Sequence, residues 1–190
     1  NDVTATADTL NVDTRDITGV TTYTVESSAG AVKFNNLATI PDFANNSGTA
    51  AVTINFQDSA LSGSADNLTI SLNNLQQTDT TNDVIEITDA GGTNKLETLT
   101  IDSTSLSSKI DNLATTAVGT TTLSVTGDEA LEIKDALDAE IATISAAAFT
   151  GALTATVGIT TGATITTGSG NDVLTGAAGN DSFTSGAGDD

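Results

Sequence analysis

Short runs in which apolar and polar residues alternate occupy much of this chain: Tyr23-Thr24-Val25-Glu26, Val52-Thr53-Ile54-Asn55-Phe56, Leu68-Thr69-Ile70-Ser71-Leu72, Val84-Ile85-Glu86-Ile87-Thr88 and Leu99-Thr100-Ile101-Asp102. A period of two sends every second side chain to the same face, so each run predicts a β-strand with one buried side. Turn-forming residues separate the runs, at Gly30, at Asn45-Asn46-Ser47-Gly48, and over 62–67 and 89–94. The single proline, Pro41, stands outside every candidate strand.

Further along, the strand-like segments shorten and their spacing contracts: Leu123-Ser124-Val125, Leu131-Glu132-Ile133, Ala142-Thr143-Ile144, Leu153-Thr154-Ala155-Thr156-Val157 and Ala163-Thr164-Ile165-Thr166. Two all-β architectures satisfy the pattern over residues 1–120. One is an antiparallel β-sandwich of about 100 residues; the other is a parallel β-solenoid, whose coils need only small residues and one aliphatic per turn. The contracting intervals and the scarcity of aromatics, 3% of the chain, favour a solenoid that leads into a roll. The expected fold is therefore an all-β parallel β-solenoid or β-roll, the alternative being an amino-terminal sandwich followed by a short roll. Three regions are expected: a Thr-rich all-β region over 1–120, solenoid coils over 121–166, and a repeat region over 167–190.

One segment reads equally as helix or strand, and a second admits a short helix. Over 128–144, Leu131, Ala136, Leu137, Glu140, Ile141 and Ile144 fit one helical face, with Asp128 and Glu129 placed favourably in a first turn. Over 105–114, Leu106, Ile110 and Leu113 do the same.

At the carboxy-terminal end the pattern becomes a nine-residue repeat. Thr167-Gly168-Ser169-Gly170-Asn171-Asp172-Val173-Leu174-Thr175 is followed by Gly176-Ala177-Ala178-Gly179-Asn180-Asp181-Ser182-Phe183-Thr184 and by Ser185-Gly186-Ala187-Gly188-Asp189-Asp190. Gly170, Gly179 and Gly188 recur in phase with Asp172, Asp181 and Asp190, and Leu174 and Phe183 follow two residues after the first two aspartates. Glycine permits positive φ and close approach of backbone carbonyls, Asp contributes a hard anionic oxygen, and the apolar residue stacks inward on the next coil. Oxygen donors of this kind suit calcium.

The unit resembles the RTX nonapeptide, G-G-x-G-x-D-x-U-x, whose repeats wind into a calcium-binding parallel β-roll. Thr167, Ala177 and Ser185 stand where the ideal unit has glycine, while the glycine two residues before each Asp is kept. The resemblance implies calcium as the bound ion and Asp172, Asp181, Asp190, Thr167, Gly168, Ser169, Gly170, Gly179, Gly186 and Gly188 as the residues around it. It also implies two units per coil. The turns over 168–172 and 186–190 would then stack on one edge, giving a nearly complete site with Asp172 and Asp190. The turn over 176–181 would lie on the other edge, with Asp181 lacking a partner. Because the last unit stops at Asp190 and the first residue is Asn1, the roll is expected to continue beyond this stretch.

A wider likeness covers residues 121–190. Thr121-Thr122-Leu123-Ser124-Val125-Thr126-Gly127, Ala130-Leu131-Glu132-Ile133, Ile144 to Leu153 and Ala163-Thr164-Ile165-Thr166, followed by the repeats, are similar to bacterial surface-layer proteins exported by type I systems. That likeness implies a secreted protein of the bacterial cell surface that assembles with itself in a calcium-dependent lattice and contacts cell-surface polysaccharide through another region.

Charge narrows the classes further. Asp+Glu number 25 against Lys+Arg 5, a net charge of −20, yet 37% of residues are hydrophobic. The chain can build a core, and its acidity argues against nucleic acid or an anionic membrane as partner and for bound cations. It contains no Cys, His, Met or Trp, which excludes His or Cys catalysis and metal sites built on those side chains. No apolar run is long enough to insert into a bilayer.

The remaining features read as turns. Asn82-Asp83-Val84-Ile85 echoes the repeat without its glycines, and 89–94 is a Gly-rich loop. Asn45 and Asn67 begin glycosylation tripeptides. The pairs Asp13 with Asp16 and Glu129 with Glu132 have the carboxylates of a glycosidase but no aromatic residues to line a sugar subsite. Three functions fit: a non-catalytic calcium-binding protein of a secreted array, a module of a large RTX adhesin, and the calcium-folding export module of a secreted enzyme. The enzyme reading finds neither H-E-x-x-H nor G-x-S-x-G in the chain.

Overall fold

A computed structural model describes residues 2–3, 9–78, 84–92 and 94–190. Among the described residues the regular structure is eighteen strands, numbered in chain order, and two short 3-10 turns, Asp58–Leu61 and Thr116–Val118. Every strand pairing is parallel. The fold is a β-solenoid, and a sandwich is ruled out because it would require antiparallel neighbours.

One nine-stranded sheet runs the whole length. It stacks β1 (Asp2–Val3), β3 (Thr22–Glu26), β5 (Asp42–Asn46), β7 (Asn67–Asn73), β9 (Thr98–Ser103), β12 (Thr122–Gly127), β14 (Thr143–Ser145), β16 (Thr164–Thr166) and β18 (Ser182–Thr184). The facing side is built in two parts. A five-stranded sheet contains β2 (Leu10–Asp13), β4 (Val32–Leu37), β6 (Val52–Phe56), β8 (Val84–Asp89) and β11 (Asn112–Ala114); a four-stranded sheet contains β10 (Ser108–Ile110), β13 (Leu131–Ile133), β15 (Leu153–Thr156) and β17 (Val173–Thr175).

The exchange between these two sheets falls at Asp111, between β10 and β11. Its N–H is accepted by Gln77 Oε1 at 3.1 Å, and Gln77 Nε2 donates to the Ala50 carbonyl at 3.2 Å. Lys134 Nζ lies 3.3 Å from the Asp111 carboxylate. A buried glutamine and a paired carboxylate thus satisfy polar groups where one ladder gives way to another.

The alternating runs face as their period requires. Leu68, Ile70 and Leu72 of β7, Leu99 and Ile101 of β9, Leu123 and Val125 of β12, Ile144 of β14 and Ile165 of β16 are all buried. Tyr23, Phe34 and Phe43 form an aromatic group near the other end, with ring centroids 5.0–5.6 Å apart. On the outer face of the long sheet the register lines Thr98, Thr122, Thr143, Thr164 and Ser182 into one column and Thr100, Ser124, Ser145, Thr166 and Thr184 into a second.

Coil length is not constant. It is 20 residues between Glu26 and Asn46, 31 between Asp66 and Glu97, 24 between Asp102 and Thr126, and 18 between Ala163 and Asp181. The long sheet's strands β3, β5, β7, β9 and β12 are followed by a residue at positive φ, or end on one: Ser27, Ser47, Asn74, Ser105 and Gly127. This left-handed kink turns the chain out of the sheet at a similar place in each coil.

Both ambiguous segments are strand and turn. Over 128–144 the chain forms β13, a turn and β14, with Leu137 and Ile141 buried as a helix would also have placed them. Over 105–114 it forms β10 and β11. Neighbouring coils already present unpaired N–H and C=O groups here, and pairing with them overrides a helical pattern of at most a few turns.

Truncating Ile101 to Ala, at the centre of the long sheet, is expected to lower the unfolding free energy by about 2–5 kcal/mol, read from chemical denaturation followed by far-UV circular dichroism.

Candidate metal centre

The repeat units fold as turns that alternate between the two edges of the solenoid. The turns over 146–152, 167–172 and 185–190 stack on one edge. A Cβ on Gly168 would fall on the Phe149 carbonyl, and one on Gly186 would fall on the Gly168 carbonyl. Only glycine allows the chain to lie this close to the coil beneath. Gly170 and Gly188 repeat the relation against Gly151 and Gly170, and Ser169 donates its N–H to the Phe149 carbonyl at 3.1 Å.

Each repeat aspartate makes the same contact. Asp172 Oδ1 accepts the N–H of Leu153 at 2.8 Å, Asp181 Oδ1 accepts that of Ala163 at 2.8 Å, and Asp190 Oδ1 accepts that of Asp172 at 3.0 Å. Asn171 Oδ1 makes the reverse contact, accepting the N–H of Asp189 in the following coil at 3.0 Å. One carboxylate oxygen is therefore committed to the preceding coil, leaving the second for another partner.

At Asp172 that second oxygen is conspicuous. The residue is 4% exposed, and its Oδ2 is buried with no hydrogen-bond partner. Thr167, 7% exposed, has a hydroxyl in the same condition. Both line a cavity of about 230 Å³ together with Asp190, Ile165, Leu174 and Phe183. A buried anionic oxygen without a donor costs free energy unless a cation or polar group reaches it. The donor set offers two carboxylates, a hydroxyl and the carbonyls of Gly-rich turns. Among the described residues no three acidic side chains converge by themselves, so main-chain oxygens have to supply part of any coordination shell. Hard oxygen donors of this kind fit calcium.

Residues 159–190 match the family model of the RTX calcium-binding nonapeptide repeat, in four copies. This segment is similar to an RTX roll. RTX nonapeptide repeats bind calcium, and they occur in secreted proteins. No curated protein and no solved structure matches the chain. Among the described residues no helix is long and apolar enough to cross a membrane.

The RTX segment brings Asp172, Asp190, Thr167, Gly168, Ser169, Gly170, Gly186 and Gly188 to one edge and places Asp181 and Gly179 on the other. The second edge differs from the expectation that it held a single turn. There the turn over 176–181 stacks on 158–162: Gly179, at φ 113°, approaches Gly162 N and the Thr160 carbonyl. The position matching Asp181 in that lower turn is Ala163. Asp181 thus has a stacked neighbour that brings no carboxylate. Running the repeat register backwards by one coil, from Asn180-Asp181 to Gly162-Ala163, would have revealed this turn. Phe149 was not singled out either, because it belongs to no repeat unit.

Most of the lesser candidates are occupied by their neighbours. Asp13 accepts from Arg15 at 2.6 Å and from Asn36 at 2.9 Å, and the guanidinium holds its carboxyl well below the usual range. Glu132 pairs with Lys109 at 3.1 Å. In the loop over 89–94, Asp89 Oδ1 accepts the Gly92 N–H at 2.7 Å while its Oδ2 is buried without a hydrogen-bond partner, and Asn94 Nδ2 donates to the Asp58 carbonyl at 2.7 Å. Asn45 is buried, which removes it as a glycosylation acceptor, whereas Asn67 is exposed. Asn82-Asp83 lies outside the described residues.

Asp172→Asn keeps an acceptor for the Leu153 N–H while removing the charge. Calcium affinity, measured by isothermal titration, is expected to fall at least about tenfold, equivalent to ~1.4 kcal/mol; an unchanged titration would exclude Asp172 from the donor set.

Proposed function

We propose that this chain is a non-catalytic, calcium-binding structural part of a secreted bacterial surface layer, in which the ion orders the carboxy-terminal fold and promotes self-assembly into a lattice. The observation that carries the calcium reading is the buried, unpartnered Oδ2 of Asp172 in a turn stacked directly beneath that of Asp190. Asp172 and Asp190, with Thr167 and the carbonyls around Gly168, Ser169, Gly170, Gly186 and Gly188, hold the ion on the first edge. Asp181 and Gly179 form the weaker half-site on the second.

The ion's chemistry here is charge compensation. Bound calcium supplies a positive charge that the roll lacks, allowing carboxylates on successive coils to approach. A site of so few carboxylates belongs to the extracellular affinity range, about 10⁻⁴–10⁻³ M. Three regions divide the work: the Thr-rich solenoid over 1–120, connecting coils over 121–166, and the calcium roll over 167–190.

The array reading is supported by shape and surface. An uninterrupted sheet with regular hydroxyl columns offers a repetitive outer face, and a net charge of −20 opposes association until cations screen it. The partner in this reading is a second copy of the chain, with attachment to cell-surface polysaccharide made through another region.

Purified protein is expected to form sheets or ordered oligomers in millimolar calcium and to disperse in chelator, observed by negative-stain electron microscopy and sedimentation velocity. Monomers at every calcium concentration would overturn the lattice reading while leaving ion binding intact.

A further inference from the structure

One broad surface of this acidic molecule carries almost no charge. The two hydroxyl columns of the long sheet continue into Asn67 and Thr69 of β7. Among the described residues, Asp102 is the one ionisable side chain in β7, β9, β12, β14, β16 and β18. It stands to one side of the two columns, where it accepts the Thr126 hydroxyl at 2.8 Å. The facing sheets are built from similarly short strands, yet their outward positions hold Lys33, Glu86, Lys109 and Glu132. Strand propensity therefore does not account for the neutrality of the long sheet.

Such a face suits a second copy of the same chain. Identical surfaces that meet bring like charges together, so in a molecule of net charge −20 an uncharged face is what permits close approach. Thr and Ser hydroxyls both donate and accept, so a hydroxyl column can pair with its own kind, as a column of carboxylates cannot. The side chains are short, little rotamer freedom is lost on contact, and two sheets can approach to about 10 Å. No aromatic ring stands among the outward positions to stack on a sugar.

Charge also selects the orientation. The neutral stretch ends at β3 and β5, whose outward positions include Glu26 and Asp42. Copies packed with parallel solenoid axes would set these carboxylates against each other, whereas antiparallel axes carry them to opposite ends. A two-fold axis then runs along the strands between β12 and β14. Ser124 and Ser145 are register partners within one chain, so about this axis Ser124 of one copy faces Ser145 of the other.

Resting on the array reading for the identity of the occupant, we propose that the outer face of the long sheet, from β7 to β18, is the surface on which two copies pair, antiparallel and without calcium. Six strands about 4.8 Å apart and about five residues wide present roughly 450 Å² per copy. A pair buries about 900 Å², less than the roughly 1,200–2,000 Å² of a standard interface. Each contact is therefore weak and reversible, and an array gains strength from many of them.

Sedimentation velocity of the full chain in chelator, over a wide range of protein and sodium chloride concentrations, tests the pairing. Dimers are expected, and they tighten as salt rises, because screening weakens the general repulsion while hydroxyl contacts have no charge to lose. Ser124→Glu with Ser145→Glu is expected to weaken pairing at least about tenfold, and Ser124→Lys with Ser145→Lys to do the same. An equimolar mixture of these two variants is expected to return to within about threefold of the original affinity, because introduced carboxylates then face introduced ammonium groups. Thr154→Glu with Thr156→Glu adds the same charge to the four-stranded sheet and is expected to change pairing by less than about threefold. Monomers in chelator at every salt concentration, or undiminished pairing of the Ser124→Glu, Ser145→Glu chain, would overturn this face as a contact, while sheets formed in calcium would keep the array reading standing. A mixture that stays monomeric would overturn the antiparallel register. Dimers in chelator with no sheets in calcium would sustain the pairing and overturn the array reading.

Discussion

Parallel stacking of each coil on the one before it is the constraint from which the rest of this structure follows. A solenoid strand cannot pair with its neighbour in sequence; it finds its hydrogen-bond partners roughly a coil away, at separations from 18 to 33 residues. Side chains at equivalent positions therefore lie one above another, and whatever repeats along the sequence becomes a column in space. The Thr and Ser columns outside, the aliphatic column within and the left-handed kinks at Ser27, Ser47, Asn74 and Gly127 are all products of that single geometric rule.

The repeat aspartates obey the same rule in a different chemical form. Where a strand would present a carbonyl to the next coil, the turn of the roll presents a carboxylate oxygen, and Leu153, Ala163 and Asp172 donate their N–H groups to it. This replaces a neutral acceptor by a charged one. The contact is stronger, but it brings negative charge onto successive coils that have few apolar side chains between them. Upstream, Glu132 and Asp111 have lysine partners that offset their charge. Downstream, a cation has to serve.

That opposition also explains why glycine appears where it does. Gly168 and Gly186 bring one turn against the carbonyl of the turn below, which draws main-chain oxygens together at the edge where Asp172 Oδ2 lies buried. Close approach and oxygen convergence are one requirement rather than two. Most upstream kinks use Ser or Asn, although Gly127 already brings the chain against the Ser103 carbonyl of the coil below.

By itself the sequence determined the all-β class, the inward residues of β7, β9 and β12, and the phase of the nonapeptide, because each is a local periodicity that any neighbouring coil will respect. The resemblance to the RTX nonapeptide implied two units per coil, and with them Asp172 and Asp190 on one edge. Tertiary structure decided the rest. Over 128–144, Leu131, Leu137, Ile141 and Ile144 satisfy helix and strand alike, and only the waiting edges of Ser108–Ile110 and Thr122–Gly127 select strand. The transfer of the facing sheet at Asp111, the stacking of Gly179 on Gly162 and the seat of the first repeat turn on Phe149 were likewise not legible. Upstream coil lengths vary from 20 to 33 residues, so no fixed period says which residue rests on which until the coil settles at 18, and a contact between coils exists only once that register is known.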